Sequence, residues 1–150
     1  MTIVVGVDNS AVSKAALRLA AQEARWRQAP LIAVIAYESP IGPVGGFPSS
    51  AMRTEGEQRA TAEAELRAAV DKELGEQAAQ AELRVSAGLV GHVIIETARQ
   101  AHAQLVVIAA RTGVAVLPGT VSQYVLLKAH CPVLVVPHND KDGEDERVSG

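Results

Sequence analysis

Short apolar runs alternate along the chain with longer segments in which apolar residues recur every three or four positions. The continuous apolar runs cover residues 2–7, 31–37, 105–109 and 133–136. A run that is apolar at every position suits a strand buried on both faces. Residues 83–87 instead alternate between apolar and polar side chains, which indicates a strand near a sheet edge.

The intervening segments have helical periodicity. The first helix follows Asp8, with Asn9 or Ser10 as its cap, and the second runs from Thr54 to about Gln80. A short third helix follows Gly91, and the fourth covers residues 120–130. The positions expected to face inward are Val12, Ala15, Ala16, Leu19 and Trp26 in the first helix, Ala62, Leu66, Val70, Leu74 and Ala78 in the second, Ile94, Ile95, Ala98 and Ala101 in the third, and Val121, Val125 and Ala129 in the fourth.

Strands and helices therefore alternate as β-α-β-α-β-α-β-α-β, which predicts an α/β fold: a single domain with an open parallel sheet and helices on both faces. A chain of 150 residues suits one domain. Residues 1–137 form the predicted domain, with 110–118 as a loop, and the polar segment 138–150 is predicted to be a disordered tail. Residues 39–53 are rich in Gly, Pro and Ser, which fits either a functional lid or a plain connector.

Composition excludes several classes of partner. The net charge of −3 and the aromatic content of 3% argue against a nucleic-acid-binding surface. No apolar run approaches the roughly 18 residues of a membrane span, so we expect no membrane partner. The first residues lack the layout of a signal peptide, and a single cysteine, Cys131, excludes an internal disulfide framework. We therefore expect a cytoplasmic protein.

The candidate chemistry lies where the predicted strands end, because ligands of open α/β sheets bind at the carboxyl ends of the strands. The segments at these ends are residues 8–10, 37–40, 87–91 and 109–120. Asp8 offers a carboxylate to a sugar hydroxyl or a base, although it could instead cap the first helix. Arg111 could pair with a phosphate, although it could equally be a solvated surface residue.

Gly119, Thr120, Val121 and Ser122 form the most informative stretch of this edge. A glycine and two hydroxyl residues at the start of a helix suit an anion, because the first-turn N–H groups are free and the helix dipole favours negative charge. The alternative is an ordinary loop glycine followed by a helix cap.

No common catalytic constellation accompanies these residues. The chain has neither a Walker-type glycine loop nor a Gly-x-Ser-x-Gly elbow, and its four histidines show no metal-ligand spacing. Cys131 is interpreted as a buried structural thiol, and Glu96 with Arg99 as a surface ion pair. We therefore expect a binding protein rather than an enzyme.

The chain resembles the universal stress protein family over roughly residues 2–137. Residues 3–10, Ile-Val-Val-Gly-Val-Asp-Asn-Ser, resemble the family's first strand and its acidic residue, and Gly91-His92 before a short helix also fits. The most specific match is Gly-Thr-Val-Ser-Gln-Tyr-Val at residues 119–125, which continues into Ala-His-Cys-Pro-Val-Leu-Val-Val-Pro at residues 129–137.

This resemblance implies a Rossmann-like five-stranded sheet of order 3-2-1-4-5 and a homodimer made by pairing the last strands. It also implies that ATP, with Mg, binds in a cleft between the first and fourth strands. The implied contacts are Gly6, Val7 and Asp8 with adenine and ribose, Ala36 with the base, and Gly119, Thr120, Val121 and Ser122 with the phosphates.

The chain departs from the family's glycine pattern beside the fourth strand. Ala109 stands where the pattern has its first glycine, and Thr112 stands at the second, with Gly113 one place later. Six residues separate Thr112 from Gly119, a shorter loop than the pattern has. An alanine side chain could obstruct the ribose, and a shorter loop could narrow the triphosphate channel.

Two functions are therefore compatible with the sequence. The first is a stress-response protein that binds ATP or a related adenine nucleotide with little or no turnover. The second is a dimeric interaction module of the same family that binds no nucleotide. A third reading, an electron-transfer-flavoprotein-like domain, would normally need a second domain or subunit.

Overall fold

Five strands and four α-helices alternate along the chain, as the hydrophobic pattern predicts. The computed structural model describes residues 1–8, 10–38, 54–112 and 120–139. The elements are β1 (Thr2–Gly6), α1 (Ala11–Arg27), β2 (Leu31–Tyr37), α2 (Glu55–Leu74), a 3-10 helix (Gly75–Gln80), β3 (Ala81–Ala87), α3 (Val90–Gln100), β4 (Ala103–Thr112), α4 (Thr120–Lys128) and β5 (Val133–Asn139).

The strands form one parallel sheet in the order β3-β2-β1-β4-β5, which confirms the order that the family resemblance implies. The central strand β1 pairs with β2 and β4 on its two sides, so that Val4 aligns with Ile32 and with Val106. All strands run in the same direction, but the side on which new strands are added changes at β1: β2 and β3 lie on one side of it, and β4 and β5 lie on the other. This switch point opens a crevice at the carboxyl ends of β1 and β4.

Apolar layers cover both faces of the sheet. Helices α1 and α2 pack on one face, and α3 and α4 pack on the other. The fully buried strand residues Ile3, Val4 and Val5 contribute to both layers, as the continuous apolar run predicts. Within the described ranges, no helix is long and apolar enough to cross a membrane.

The prediction that Trp26 faces the core is wrong. Helix α1 packs through small side chains, above all Ala16, Ala20 and Ala24, each at most 8% exposed. Trp26 lies about 200° around the helix from Ala24 and is 68% exposed. Leu19 is half-buried at the border of the packed face. Trp26, seven residues after Leu19 along α1, lies outside that face.

Several predicted boundaries are also wrong. Helix α4 ends at Lys128 rather than at residue 130, so Ala129 lies beyond the helix. Strand β4 continues to Thr112, three residues into the predicted loop, because Ala110, Arg111 and Thr112 stay in register with β5. Strand β5 reaches Asn139, two residues into the predicted tail. The rest of that tail and the predicted lid or connector at 39–53 lie outside the described residues.

Helix ends follow local chemistry. Thr54 caps α2, because its hydroxyl accepts a hydrogen bond from the Glu57 N–H at 3.2 Å. Gly75, at φ +56°, ends α2 and begins the 3-10 helix, so the predicted helix to Gln80 changes type there.

A two-part cleft at the carboxyl edge of the sheet

The first part of the cleft lies at the switch point between the ends of β1 and β4. This cavity, here called the switch-point compartment, has a volume of about 430 Å³. It is lined by Gly6, Val7, Asp8, Ser10, Val12, Ser13, Val90, Ile94, Ile108, Ala109, Ala110, Val121 and Ser122. Six residues predicted for the site, Gly6, Val7, Asp8, Ala109, Val121 and Ser122, therefore meet around one cavity.

Asp8 is held at the start of α1 by a set of short hydrogen bonds. Its Oδ1 accepts from the Ser10 N–H at 2.7 Å and from the Ser10 hydroxyl at 2.5 Å. The Asp8 N–H donates to Ser13 Oγ at 2.8 Å, and Ser10 Oγ accepts from the Ser13 N–H at 3.2 Å. Ser10 is thus the helix cap, and Asp8 supports it. Among the residues that the structure describes, both bonds to the carboxylate go to Oδ1, and Oδ2 is the oxygen without a partner.

Helix α4 begins beside the same compartment. Thr120 is its first residue, and Val121 and Ser122 in its first turn line the cavity. The N–H groups of a first turn have no partner within their own helix. The end of the α4 dipole that favours negative charge therefore lies beside the cavity.

The remaining predicted residues are placed less fully. Arg111 lies within β4 opposite His138 in β5, and this backbone register is what the structure describes of it. Likewise, Thr120 is placed by its backbone at the start of α4. Gly113 and Gly119 lie outside the described residues.

Gly6 and Ala109 differ in what their positions require. A Cβ added at Gly6 would lie 2.6 Å from Ile94 Cδ1, so the glycine lets α3 approach β1 closely. Ala109, three residues before the end of β4, is half-buried and lines the compartment at the position where the family pattern has glycine.

The second part of the cleft adjoins the first on the α3 side of the sheet. This cavity, here called the tyrosine compartment, has a volume of about 510 Å³. It is lined by Ala36, Tyr37, Glu38, Gly88, Leu89, Val90, Gly91, His92, Val121 and Tyr124. Val90 and Val121 line both compartments, so the two cavities share a wall. Ala36, the residue expected to face the base, lies here.

Sequence reasoning missed most of this second compartment. The candidate segments 37–40 and 87–91 lead to it, but no role was assigned to Tyr37, Leu89 or Gly91. Tyr124 follows Val121 by three positions, the spacing that places two side chains on one helix face. That spacing, read from Val121, was the available signal.

Two other groups singled out in the sequence lie away from the cleft. Arg99 Nη2 contacts Glu96 Oε1 at 2.7 Å, which confirms the surface pair, and this hydrogen bond holds the pKa of Glu96 below its usual value. Cys131 is half-buried, and burial raises the pKa of its thiol. Among the residues that the structure describes, no three histidine, cysteine or carboxylate side chains gather as a metal site.

Comparisons with known proteins agree with this architecture. The model of the universal stress protein family matches residues 1–137. A universal stress protein of Mycolicibacterium smegmatis is 34% identical over 154 residues, covering 97% of this chain and 51% of the relative. The chain thus spans about half the length of that curated relative.

Solved structures similar to this chain also include universal stress proteins. A universal stress protein in complex with cAMP is 27% identical, with a TM-score of 0.66 over 91% of this chain and 95% of that one. The universal stress protein from Archaeoglobus fulgidus in complex with dAMP is 26% identical, with a TM-score of 0.62 over 91% and 97% of the two chains. Since the family model covers nearly the whole described chain, this protein belongs to the universal stress protein family.

Proposed function

We propose that this protein binds an adenine nucleotide, with ATP and its Mg²⁺ as the expected ligand, and turns it over little or not at all. The observation that carries the proposal is the convergence of Asp8 and the start of α4 on one cavity at the switch point. The relatives with cAMP and dAMP support an adenine nucleotide as the ligand class.

Each end of the switch-point compartment suits a different part of a nucleotide. The Asp8 carboxylate can accept hydrogen bonds from ribose hydroxyls, because Ser10 holds it through Oδ1 and no described residue bonds to Oδ2. The first turn of α4 can donate N–H groups to a phosphate, and the Ser122 hydroxyl can add a donor. Ala109 lines the same compartment and carries a methyl group where the family pattern has glycine.

Little turnover is expected because hydrolysis needs a positioned base for water. Among the described residues lining the switch-point compartment, Asp8 is the one carboxylate, and its Oδ1 is already engaged by Ser10. A cytoplasmic setting is part of the proposal, since a single half-buried cysteine suits a reducing compartment.

Thermal unfolding with and without nucleotide tests this function. At a ligand concentration of 100 times the Kd, binding should stabilise the protein by about 2.7 kcal/mol. The double variant Thr120→Val with Ser122→Ala should abolish this shift. Ser86→Ala is the matched control, because Ser86 lies on β3 and lines neither compartment.

A negative result would be equally clear. No shift with Mg-ATP, AMP or cAMP, together with no nucleotide found by mass spectrometry in the purified protein, would refute nucleotide binding. The half-buried methyl of Ala109 is the observation that favours this alternative, a dimeric module without nucleotide.

The proposed dimer forms through β5. In the described part of the sheet, β5 pairs only with β4, so one side of a mostly apolar strand is unpaired. Pro132 O accepts from the Val106 N–H at 3.0 Å, and backbone polar groups alternate in direction along a strand. The N–H and C=O groups of Val133 and Val135 therefore point away from β4, towards a second copy.

A proline substitution at the unpaired side of β5 tests pairing through this edge without disturbing the bonds between β5 and β4. Val135→Pro removes an outward N–H without removing a bond to β4, and it should convert dimer to monomer in sedimentation experiments. Val85→Pro is the control, because the Gly88 N–H bonds to Tyr37 O, which directs the groups of Val85 out of the opposite edge. A wild-type monomer, or a dimer that survives Val135→Pro, would refute pairing through β5.

A further inference from the structure

Both tyrosines of the chain line the tyrosine compartment. Aromatic residues make up only 3% of the sequence, so this concentration in one cavity is distinctive. We propose that Tyr124 is the residue that makes binding depend on the base, because its ring forms the wall against which the base packs. The inference rests on the proposed function.

The position of the Tyr124 ring is set by a neighbour without a side chain. Gly91 is buried in the first turn of α3, and a Cβ added there would lie 2.9 Å from Tyr124 Cδ1 and 3.3 Å from Cγ. The ring therefore lies directly against the backbone of α3. Tyr124 nevertheless remains 37% exposed, so part of the ring is free to contact a ligand.

The surroundings of the ring suit a base better than a phosphate. Leu89, Val90 and Val121 line the same compartment with apolar groups, and Glu38 and His92 also line it. Bases stack on aromatic side chains because every base has a π-face. The switch-point compartment also has apolar walls, but Asp8, Ser10 and the start of α4 with Ser122 line it as well, which leaves the ribose and phosphate on that side of the shared wall.

Two ligands that differ only in the base test the role of Tyr124. AMP and ribose 5-phosphate are titrated calorimetrically into wild type, Tyr124→Ala and Tyr124→Phe. Tyr124→Ala should weaken AMP binding by roughly 5- to 150-fold, which corresponds to the loss of one base–aromatic contact. It should leave the affinity for ribose 5-phosphate unchanged, and Tyr124→Phe should keep the wild-type affinity for AMP.

Leu127→Ala is the control on the same helix, since Leu127 is 82% exposed and lines neither compartment. If Tyr124→Ala lowers the melting temperature, Tyr124→Leu replaces it, because leucine keeps an apolar contact with Gly91 without a ring. If ribose 5-phosphate binds too weakly to measure, the role of Tyr124 is judged from AMP affinity alone: the alanine or leucine variant should bind AMP more weakly than Tyr124→Phe does.

The possible outcomes distinguish the role of Tyr124 from nucleotide binding itself. Unchanged AMP affinity in Tyr124→Ala, or an equal loss for both ligands, would overturn the role of Tyr124 while leaving nucleotide binding intact. Failure of wild type to bind AMP, ATP or cAMP would instead refute the proposed function.

Discussion

Replacing Gly6 by alanine tests whether close packing against α3 is the reason for this glycine. Gly6 has no positive φ, so its backbone conformation does not itself require glycine. The added Cβ would lie 2.6 Å from Ile94 Cδ1 and 3.2 Å from Ile94 Cγ1. Contacts this short force the isoleucine to move.

The size of the stability loss depends on how easily the Ile94 side chain can move. Its Cδ1 is the end of a flexible side chain that lines the switch-point compartment, so rotation into that cavity is available. A side chain forced off its rotamer costs of order 0.5–1.5 kcal/mol, and overpacking a core costs about 1–3 kcal/mol. We expect Gly6→Ala to lower the free energy of unfolding by about 1–2 kcal/mol, and the displaced methyl group to weaken nucleotide binding.

A second substitution identifies the cause. Ile94→Val removes Cδ1, the atom in the shortest contact, and by itself should cost about 0.5–1.5 kcal/mol. If the clash is the cause, the double variant should be about as stable as Ile94→Val alone, with a coupling of about 1 kcal/mol or more. Gly56→Ala is the matched glycine control: its Cβ would meet nothing closer than Thr54 Oγ1 at 4.0 Å, so it should stabilise α2 by up to about 1 kcal/mol.

Urea denaturation of the four proteins in this cycle measures the coupling, and 1 kcal/mol corresponds to a melting-temperature shift of about 2–4 °C at this chain length. Full stability of Gly6→Ala would show that the packing argument is wrong. A double variant whose loss equals the sum of the single losses would show that Ile94 is not the residue displaced.

Three further results follow from single interactions. Ser10→Ala removes the acceptor for the Ser13 N–H and should cost about 1 kcal/mol in urea denaturation, and an unchanged midpoint would rule out Ser10 as the effective cap. Iodoacetamide should alkylate Cys131 with an apparent pKa above that of a free thiol, because burial disfavours the thiolate, and a lower value would contradict this. The pKa of Glu96 should rise in Arg99→Gln, as followed by NMR. Because the folded state lowers the pKa of Glu96, the ion pair stabilises the fold at pH values above the usual carboxyl pKa. This stabilisation is lost as the pH falls through the lowered pKa. An unchanged Glu96 pKa in Arg99→Gln would exclude Arg99 as the cause of the shift.

Most of the fold could be predicted because a buried strand is recognisable from a short run of consecutive apolar residues. Ile3, Val4 and Val5 are apolar in succession, and each is completely buried between two helical layers. Sheet order came instead from the family resemblance, since local patterns do not say which strands are neighbours. Trp26 was misplaced because helical spacing identifies a stripe but not how closely the alanine-rich face of α1 approaches the sheet.

The site could be predicted only in part, for a similar reason. Asp8 and Ser122 were found because their residue types suggest chemistry and both follow strand ends. Tyr37 and Tyr124 were given no role, because the spacing of Tyr124 from Val121 and the place of Tyr37 at a strand end do not show that the two side chains line one cavity; for Tyr124, the contact with Gly91 appears only in the folded structure. Tertiary neighbours, rather than local pattern, define the second compartment.

The two candidate anchors for a ligand follow strands that are paired on both sides. Asp8 follows β1, and the strand β4, which precedes α4, pairs on both sides like β1. The amide hydrogens of β1 and β4 should be among the slowest to exchange with deuterium, and Asp8, directly after β1, should then be in place before a ligand arrives. Little conformational entropy is then lost when a ligand arrives, and its affinity depends mainly on the contacts already in place.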